Sequence, residues 1–384
     1  MTERYGSERQ GTERHGGNLD ALARCAGRPA AEILDFSANI NPLGPPPALA
    51  ALFDIDLAAL GHYPDPECRE LRSLLAETHD IDPERLLVGN GSEQLIWWLP
   101  RAVRAQRLLL PVPSYLDYAR AAAVWGLPIE PFRLLPETGF ALDLEALEGQ
   151  VRSGDLVWIG QPNNPTGRLV DPSALMALIS ARPEVFWAID EAFMDFVDGT
   201  PSALTWSLPN LAVMRSMTKF QALAGLRLGF GALAPDVCRA LKDCLPEWSV
   251  NTLAQRAGIL TLRASETPDW AERSRRLVQG QRQWLSTQLT ALGLQVFPGS
   301  ANYLLSRLPE QGVRAAELRD RLLREQGIAI RNCSNYQGLD DRYIRVAVRD
   351  AADNRRLVAG LASVFIGSLV HQRSGKTESF PLPW

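Results

Sequence analysis

Between Leu86 and Phe230 six short apolar runs alternate with stretches of helical periodicity, and this rhythm limits the fold more than any other feature. The runs are Leu86-Leu87-Val88, Leu108-Leu109-Leu110, Leu156-Val157-Trp158-Ile159, Phe186-Trp187-Ala188-Ile189, Leu211-Ala212-Val213-Met214 and Leu228-Gly229-Phe230. Helical patterns separate them, for example Pro172 to Ala181. Strands alternating with helices predict an α/β fold on a mostly parallel, doubly wound sheet.

After about Asn251 the texture changes to arginine-rich helical segments over 252–264 and 270–292. An αβ pattern follows, with strands expected near 301–306, 328–331 and 343–348, and it reads as a second, smaller domain. The run Asn41-Pro42-Leu43-Gly44-Pro45-Pro46-Pro47 is a stiff connector, so the segment before it is expected to pack with the small domain. At the start stand three polar pentads, Thr-Glu-Arg-Tyr-Gly, Ser-Glu-Arg-Gln-Gly and Thr-Glu-Arg-His-Gly, with no apolar face. The chain thus divides into a disordered polar repeat (1–14), an N-terminal segment at the small domain and active site (15–44) and a large domain (45–260). A small C-terminal domain (261–370) and a flexible tail (371–384) complete it.

Composition excludes several classes. Net charge is −4 and the basic residues are scattered, with no stripe for nucleic acid. No apolar run approaches membrane-spanning length and the N-terminus has no apolar signal core, so the chain reads as cytoplasmic. Cys25, Cys68, Cys238, Cys244 and Cys333 form no CxxC pair, which suits reduced thiols. His15, His62, His79 and His371 lack metal-ligand spacing, so no metal site is expected.

Lysine is nearly absent: Lys219, Lys242 and Lys376 stand among 40 basic residues. Lys219 lies between apolar segments, where charge is costly. Arginine cannot replace an amine that must lose its proton and form an imine, which marks Lys219 as a candidate Schiff-base lysine.

Four features fall at the ends of expected strands, where ligands bind in open α/β sheets. Val88-Gly89-Asn90-Gly91-Ser92-Glu93-Gln94 closes a strand and opens a helix, whose N–H groups suit a phosphate, although alone it is only a helix start. Pro100 should end or kink that helix. Gln161-Pro162-Asn163-Asn164-Pro165-Thr166-Gly167 is in isolation a turn. Asp190 closes a buried strand in Ile189-Asp190-Glu191-Ala192-Phe193, as an N-cap or as the partner of a pyridinium nitrogen. Ser216-Met217-Thr218-Lys219 precedes Gly225-Leu226-Arg227-Leu228-Gly229, supplying hydroxyls and a phosphate-binding arginine.

In this order the four blocks identify the chain as similar, over about residues 15 to 365, to the fold-type I pyridoxal 5′-phosphate (PLP) enzymes, the aspartate-aminotransferase-like superfamily. The resemblance implies a large PLP-binding domain. Lys219 would carry the cofactor and later move the proton, and Asp190 would pair with the pyridine nitrogen. Asn164 would bond the phenolic oxygen and Tyr115 would stack on the ring. Ser216, Arg227 and the backbone around Gly91, Ser92 and Glu93 would hold the phosphate. Tyr63 would reach the partner subunit's phosphate, implying a homodimer. Phe193 departs from the tyrosine that many relatives carry.

Flanking motifs narrow the reaction. His15-Gly16-Gly17-Asn18, Asp35-Phe36-Ser37-Ala38-Asn39-Ile40-Asn41-Pro42, Trp248-Ser249-Val250-Asn251 and Arg331-Asn332-Cys333-Ser334-Asn335-Tyr336 resemble the L-threonine-O-3-phosphate decarboxylases of cobalamin biosynthesis. The alternative is a histidinol-phosphate aminotransferase, which shares the core blocks; a non-catalytic sensor would be expected to have lost one of them. The resemblance implies His15, Gly16, Asn39, Asn164, Arg331 and Arg345 as substrate ligands. His15 also fills the variable slot of the third pentad and could belong to the tail. Cys333, with no base beside it, reads as a packed thiol.

Overall fold

Side chains alternate across a strand, so a continuous apolar run is stable only where both faces of a sheet are covered. The structure, a computed structural model describing residues 15–264 and 267–374, places all six runs in such a sheet. A short strand β1 (Leu34–Asp35) comes first in the chain. The large sheet then takes β2 (Leu86–Asn90), β3 (Arg107–Val112), β4 (Ile129–Arg133), β5 (Asp155–Gly160), β6 (Phe186–Asp190), β7 (Leu211–Ser216) and β8 (Leu228–Leu233), in the order β2-β8-β7-β6-β5-β3-β4. All neighbours are parallel except those of β8, which runs against β2 and β7. Val157, Ile159, Trp187, Ile189 and Val213 fill the core on one face, and Leu156, Trp158, Ala188, Ala212 and Met214 that on the other.

Strand β4 has no counterpart among the apolar runs. Ile129-Glu130-Pro131-Phe132-Arg133 mixes polar residues and a proline, which an edge strand tolerates because one side has no ladder to break.

This topology decides where the ligand edge lies. The C-terminal ends of β2, β5, β6 and β7 share one edge of the sheet, and antiparallel β8 begins at that same edge just after Arg227. The registers Asn90↔Leu228, Ser216↔Gly229 and Gly160↔Asp190 fix the alignment. Gly229 is obligatory here. A Cβ on it would stand 2.2 Å from the Ser92 nitrogen, so a side chain would push the helix that opens at Gly91 off the sheet.

Of the helices before β5, α1 (Leu19–Ala26) packs against helix Ala315–Gln326, while α2 (Arg69–His79), α3 (Gly91–Ala102) and α4 (Leu116–Val124) flank the large sheet. Pro100 lies in the last turn of α3, which ends two residues later.

The second layer contains β9 (Gln295–Val296), β10 (Tyr303–Arg307), β11 (Ile328–Ala329), β12 (Arg331–Asn332) and β13 (Tyr343–Ala347). Four of them form an antiparallel sheet, β12-β13-β10-β9, while β11 pairs in parallel with β1. The N-terminal segment is therefore stitched to this second layer through β11, with Leu22 and Ile33 packed on Leu323 and Ala329. The polar repeat expected at 1–14 lies outside the described residues, as does the tail from 375. Residues 371–374 of that expected tail belong to helix Ala351–Ser374, which no proline interrupts. No described helix is long and apolar enough to cross a membrane.

Away from the cleft a buried ion pair joins the ends of β6 and β7. Arg215 Nη1 donates to Glu191 Oε2 at 3.0 Å, Arg215 also meets Asp195, and the Ala203 N–H donates to Glu191 Oε1 at 2.7 Å. Removing one member of such a pair strands a charge in low dielectric. We expect Arg215→Ala to destabilise the fold by about 3–5 kcal/mol, read as a lower urea midpoint; an unchanged midpoint would show that the pair is dispensable.

Candidate active site

Asp190 is the last residue of β6, and burial raises its pKa above the usual carboxylate range. Two donors oppose that shift: the Tyr118 hydroxyl, 2.6 Å from Oδ2, and the Ala192 N–H, 3.0 Å from Oδ1. Tyr118 is itself buried in α4 and lies flat on Trp158, with ring centroids 4.8 Å apart. This tyrosine was missed in the sequence. The available signal was its spacing of three from Tyr115, which puts both on one helix face.

Lys219 follows β7 at the floor of the same cleft. Burial first, then the charges of Arg227 and Arg345, bring its ammonium pKa down to about 8. Its carbonyl accepts from the Asn41 N–H at 3.1 Å, tying the N-terminal segment to the lysine turn.

An anion cup lies beside it. Helix α3 starts at Gly91 with φ 71° and has no side-chain cap, because the Asn90 amide donates to the Ser249 carbonyl instead. The Gly91 N–H donates to the Arg227 carbonyl at 2.8 Å, and the N–H groups that follow it, at the positive end of the helix dipole, face the cleft for another acceptor. Arg227, held at φ 59°, covers this end. A Cβ on Gly91 would meet its Nη2 at 2.8 Å. Arg227 pairs with Glu93 at 3.0 Å, and the Ser216 and Thr218 hydroxyls lie 2.7 Å apart.

The opposite wall comes from the smaller sheet and the N-terminal segment. Arg331 of β12 stands directly across from Arg345 of β13. Both are buried, 2 % and 5 % exposed. Arg345 donates to Asn164 Oδ1 at 2.5 Å and to the Ser37 carbonyl at 2.9 Å, and its guanidinium lies over the Tyr303 ring. Its Nε is buried without a partner, and no carboxylate pairs with it among the described residues. Arg331 donates to Asn335 at 2.8 Å. Asn39 is buried with its Oδ1 unpartnered. Gly16 presses on the Ser37 backbone, where a Cβ would come within 2.3 Å of the carbonyl oxygen.

One cleft thus gathers His15, Gly16, Asn39, Gly91, Ser92, Glu93, Tyr115, Asn164, Asp190, Ser216, Lys219, Arg227, Arg331 and Arg345. Tyr63 is not among them: it is 79 % exposed and stacked on Trp248 at 4.6 Å. Ser37 and Tyr336 also line the cleft, drawn from motifs whose other residues had been selected. Phe193 meets Tyr303 edge-on at 5.0 Å, and Tyr303 donates its hydroxyl to the Asn163 carbonyl at 2.8 Å. Cys333 is buried beneath, its thiol pushed up to about 11 by burial and kept from reactivity. No metal-binding cluster occurs among the described residues.

The family model for aminotransferase class I and II matches residues 31–361. The chain is 36% identical over 361 residues to the threonine-phosphate decarboxylase of Salmonella typhimurium, covering 92% of this chain and 97% of that protein. It is 34% identical over 367 residues to the adenosylcobalamin biosynthesis bifunctional protein CobDQ of Leptospira interrogans, covering 94% of this chain. The chain spans only 42% of the length of that relative. The solved structure of the histidinol-phosphate aminotransferase from Clostridium acetobutylicum is similar with a TM-score of 0.80 at 30% identity, over 87% of this chain and 100% of that one.

Only the unprotonated amine is a nucleophile, so the Lys219 pKa has a direct readout. With the cofactor removed, labelling of Lys219 by an amine-acylating reagent, followed by peptide mass spectrometry, should rise with pH around a midpoint near 8. A midpoint at the ordinary lysine value of about 10.4 would contradict the cleft electrostatics.

Proposed function

The chain belongs to the aminotransferase class I and II family, and from that membership we propose that it is a PLP-dependent decarboxylase. Its reaction would convert O-phospho-L-threonine to (R)-1-aminopropan-2-yl phosphate and CO2 for cobalamin biosynthesis, in the cytoplasm. The observation that carries the substrate class is the buried Arg331–Arg345 pair. Like charges directly opposite each other on adjacent strands repel, and burial makes the repulsion stronger. Both guanidiniums line the cleft, and the buried Nε of Arg345 has no partner, so an anionic substrate group would find donors on this wall.

The residues present fit the cofactor. The start of α3, which has no side-chain cap and where Gly91 holds φ 71° beneath Arg227, suits its phosphate, with Ser216 and Ser92 alongside. Asp190, a buried carboxyl with two neutral donors, suits a protonated ring nitrogen. Asn164 suits the phenolic oxygen and Tyr115 the ring face, while the Lys219 amine attaches the group covalently. When bound, PLP supplies an electron sink for the pair left at Cα when a bond there breaks.

This chain's own residues then choose the bond. A bidentate arginine clamp on the substrate carboxylate would hold that group and favour loss of the Cα proton. With the arginine pair engaged by the phosphate instead, the carboxylate is the group free to leave. Lys219, titrating near 8, can hold a proton at neutral pH and deliver it to Cα in place of the departed CO2. Tyr63 is part of the same proposal, reaching the phosphate of the partner subunit's cofactor in a homodimer. Exposed Phe53, Leu57, Leu60 and Trp248 near it in the sequence or in contact with it support such an interface.

The second reading is a histidinol-phosphate aminotransferase, favoured by the likeness to a structure of that name. Product mass spectrometry separates the two. The PLP-loaded protein given O-phospho-L-threonine alone should release CO2 and aminopropanol phosphate with no keto acid present, and Lys219→Ala should abolish this. Glutamate and an imidazole-acetol phosphate from histidinol phosphate plus 2-oxoglutarate, with no product from phosphothreonine, would overturn the decarboxylase reading.

A further inference from the structure

The mouth of the cleft holds a pair of groups to which the proposed reaction assigns only one role. The Asp117 side chain is wholly buried in the first turn of α4, where Oδ1 meets the Arg120 guanidinium. Its Oδ2 lies 3.2 Å from Nε2 of His15. Neither atom makes a hydrogen bond among the described residues, and the Tyr115 hydroxyl is the other group that faces the Asp117 carboxyl. Burial works against the Asp117 charge, but His15, the Tyr115 hydroxyl and Arg120 together outweigh it and hold the carboxyl below the usual range. A buried carboxylate oxygen left idle is costly, and nothing else on α4 uses it.

His15 reaches this point from the other side of the cleft. It opens the strap His15-Gly16-Gly17, in which Gly17 N–H donates to Ser37 Oγ at 3.0 Å. The Ser37 carbonyl in turn accepts from Arg345. The strap is thus joined to the arginine wall, and His15 touches the large domain at Asp117 and at Tyr115, whose ring centroid is 5.6 Å away. With Nε2 committed to Asp117, Nδ1 is the polar atom left to face a ligand.

We propose that Asp117 is a positioning residue: it holds Nε2 of His15 and so orients the ring toward the cleft, where it meets the phosphate monoester of the substrate. The pair then sets the preference for a phosphorylated amino acid over the unphosphorylated one. This rests on the decarboxylase reading and adds a residue that none of the motif assignments contains.

The test is a cycle of four PLP-loaded proteins: the natural chain, His15→Ala, Asp117→Asn and the double variant. The KM for O-phospho-L-threonine is read from product release, and binding of L-threonine and inorganic phosphate by calorimetry. Each single variant should weaken phosphothreonine and phosphate about tenfold, the scale of one charge-assisted hydrogen bond, and leave L-threonine unchanged. The double variant should be no weaker than the weaker single. Independent, multiplying losses, or an Asp117→Asn protein that binds phosphothreonine normally, would overturn the proposal. So would equal loss of L-threonine, which marks a structural role. Should Asp117→Asn fail to fold, His15→Gln must reproduce the phosphate-specific loss, and normal phosphate binding by it counts against the pair. If the natural chain ignores phosphothreonine, the decarboxylase reading fails, and the phosphate titrations alone still decide the coupling.

Discussion

The cleft depends on the ends of β6 and β7 being held in one register, and the Arg215–Glu191 pair ties them on the side away from the ligand. Asp190 and Ser216 are the immediate chain neighbours of that pair and line the cleft. A shift of one residue in either strand would turn the carboxyl and hydroxyl away and expose the buried charges. Gly229 does comparable service one strand over, since only its missing side chain allows α3 to begin against β8 with its N–H groups facing the anion cup.

On this frame the cleft collects more positive than negative charge. Lys219, Arg227, Arg331 and Arg345 converge from four separate segments, against the buried Asp190 and the partly exposed Glu93. Burial depresses the Lys219 amine first, and the neighbouring guanidiniums of Arg227 and Arg345 lower its proton affinity further. The same field calls for ligands with anionic groups at both ends, one for the Arg227 cup and one for the arginine wall. The two walls belong to different sheets and meet across Asn164, which accepts from Arg345. The cofactor-side and substrate-side residues are therefore mechanically linked before any ligand is present.

Much of this was legible in the primary structure because it is local. Strands buried on both faces appear as apolar runs, and ligand residues cluster where those runs end, so Asp190, Asn164 and Lys219 stood out by position. Edge strand β4 did not, because an edge needs no apolar run. Tyr118 and Asp117 were not selected, because each gains its importance only from a partner distant in sequence: Asp190 for the first, His15 for the second. Tyr63, which the resemblance assigns to the partner subunit's cofactor, stands at the surface on Trp248, outside its own chain's cleft.

The amino-acid sequence by itself determined the doubly wound sheet, the four turns that line the cleft and the lysine that stands at its floor. Those properties follow from short-range periodicity and from residue chemistry that nothing else can supply. Tertiary structure decided which charges face one another: Arg331 across from Arg345, Asp117 behind His15, and Arg227 over Gly91. Such pairings depend on strand register and on how two sheets close on each other. Electrostatic energy varies with distance and burial, and neither quantity exists until the chain has folded.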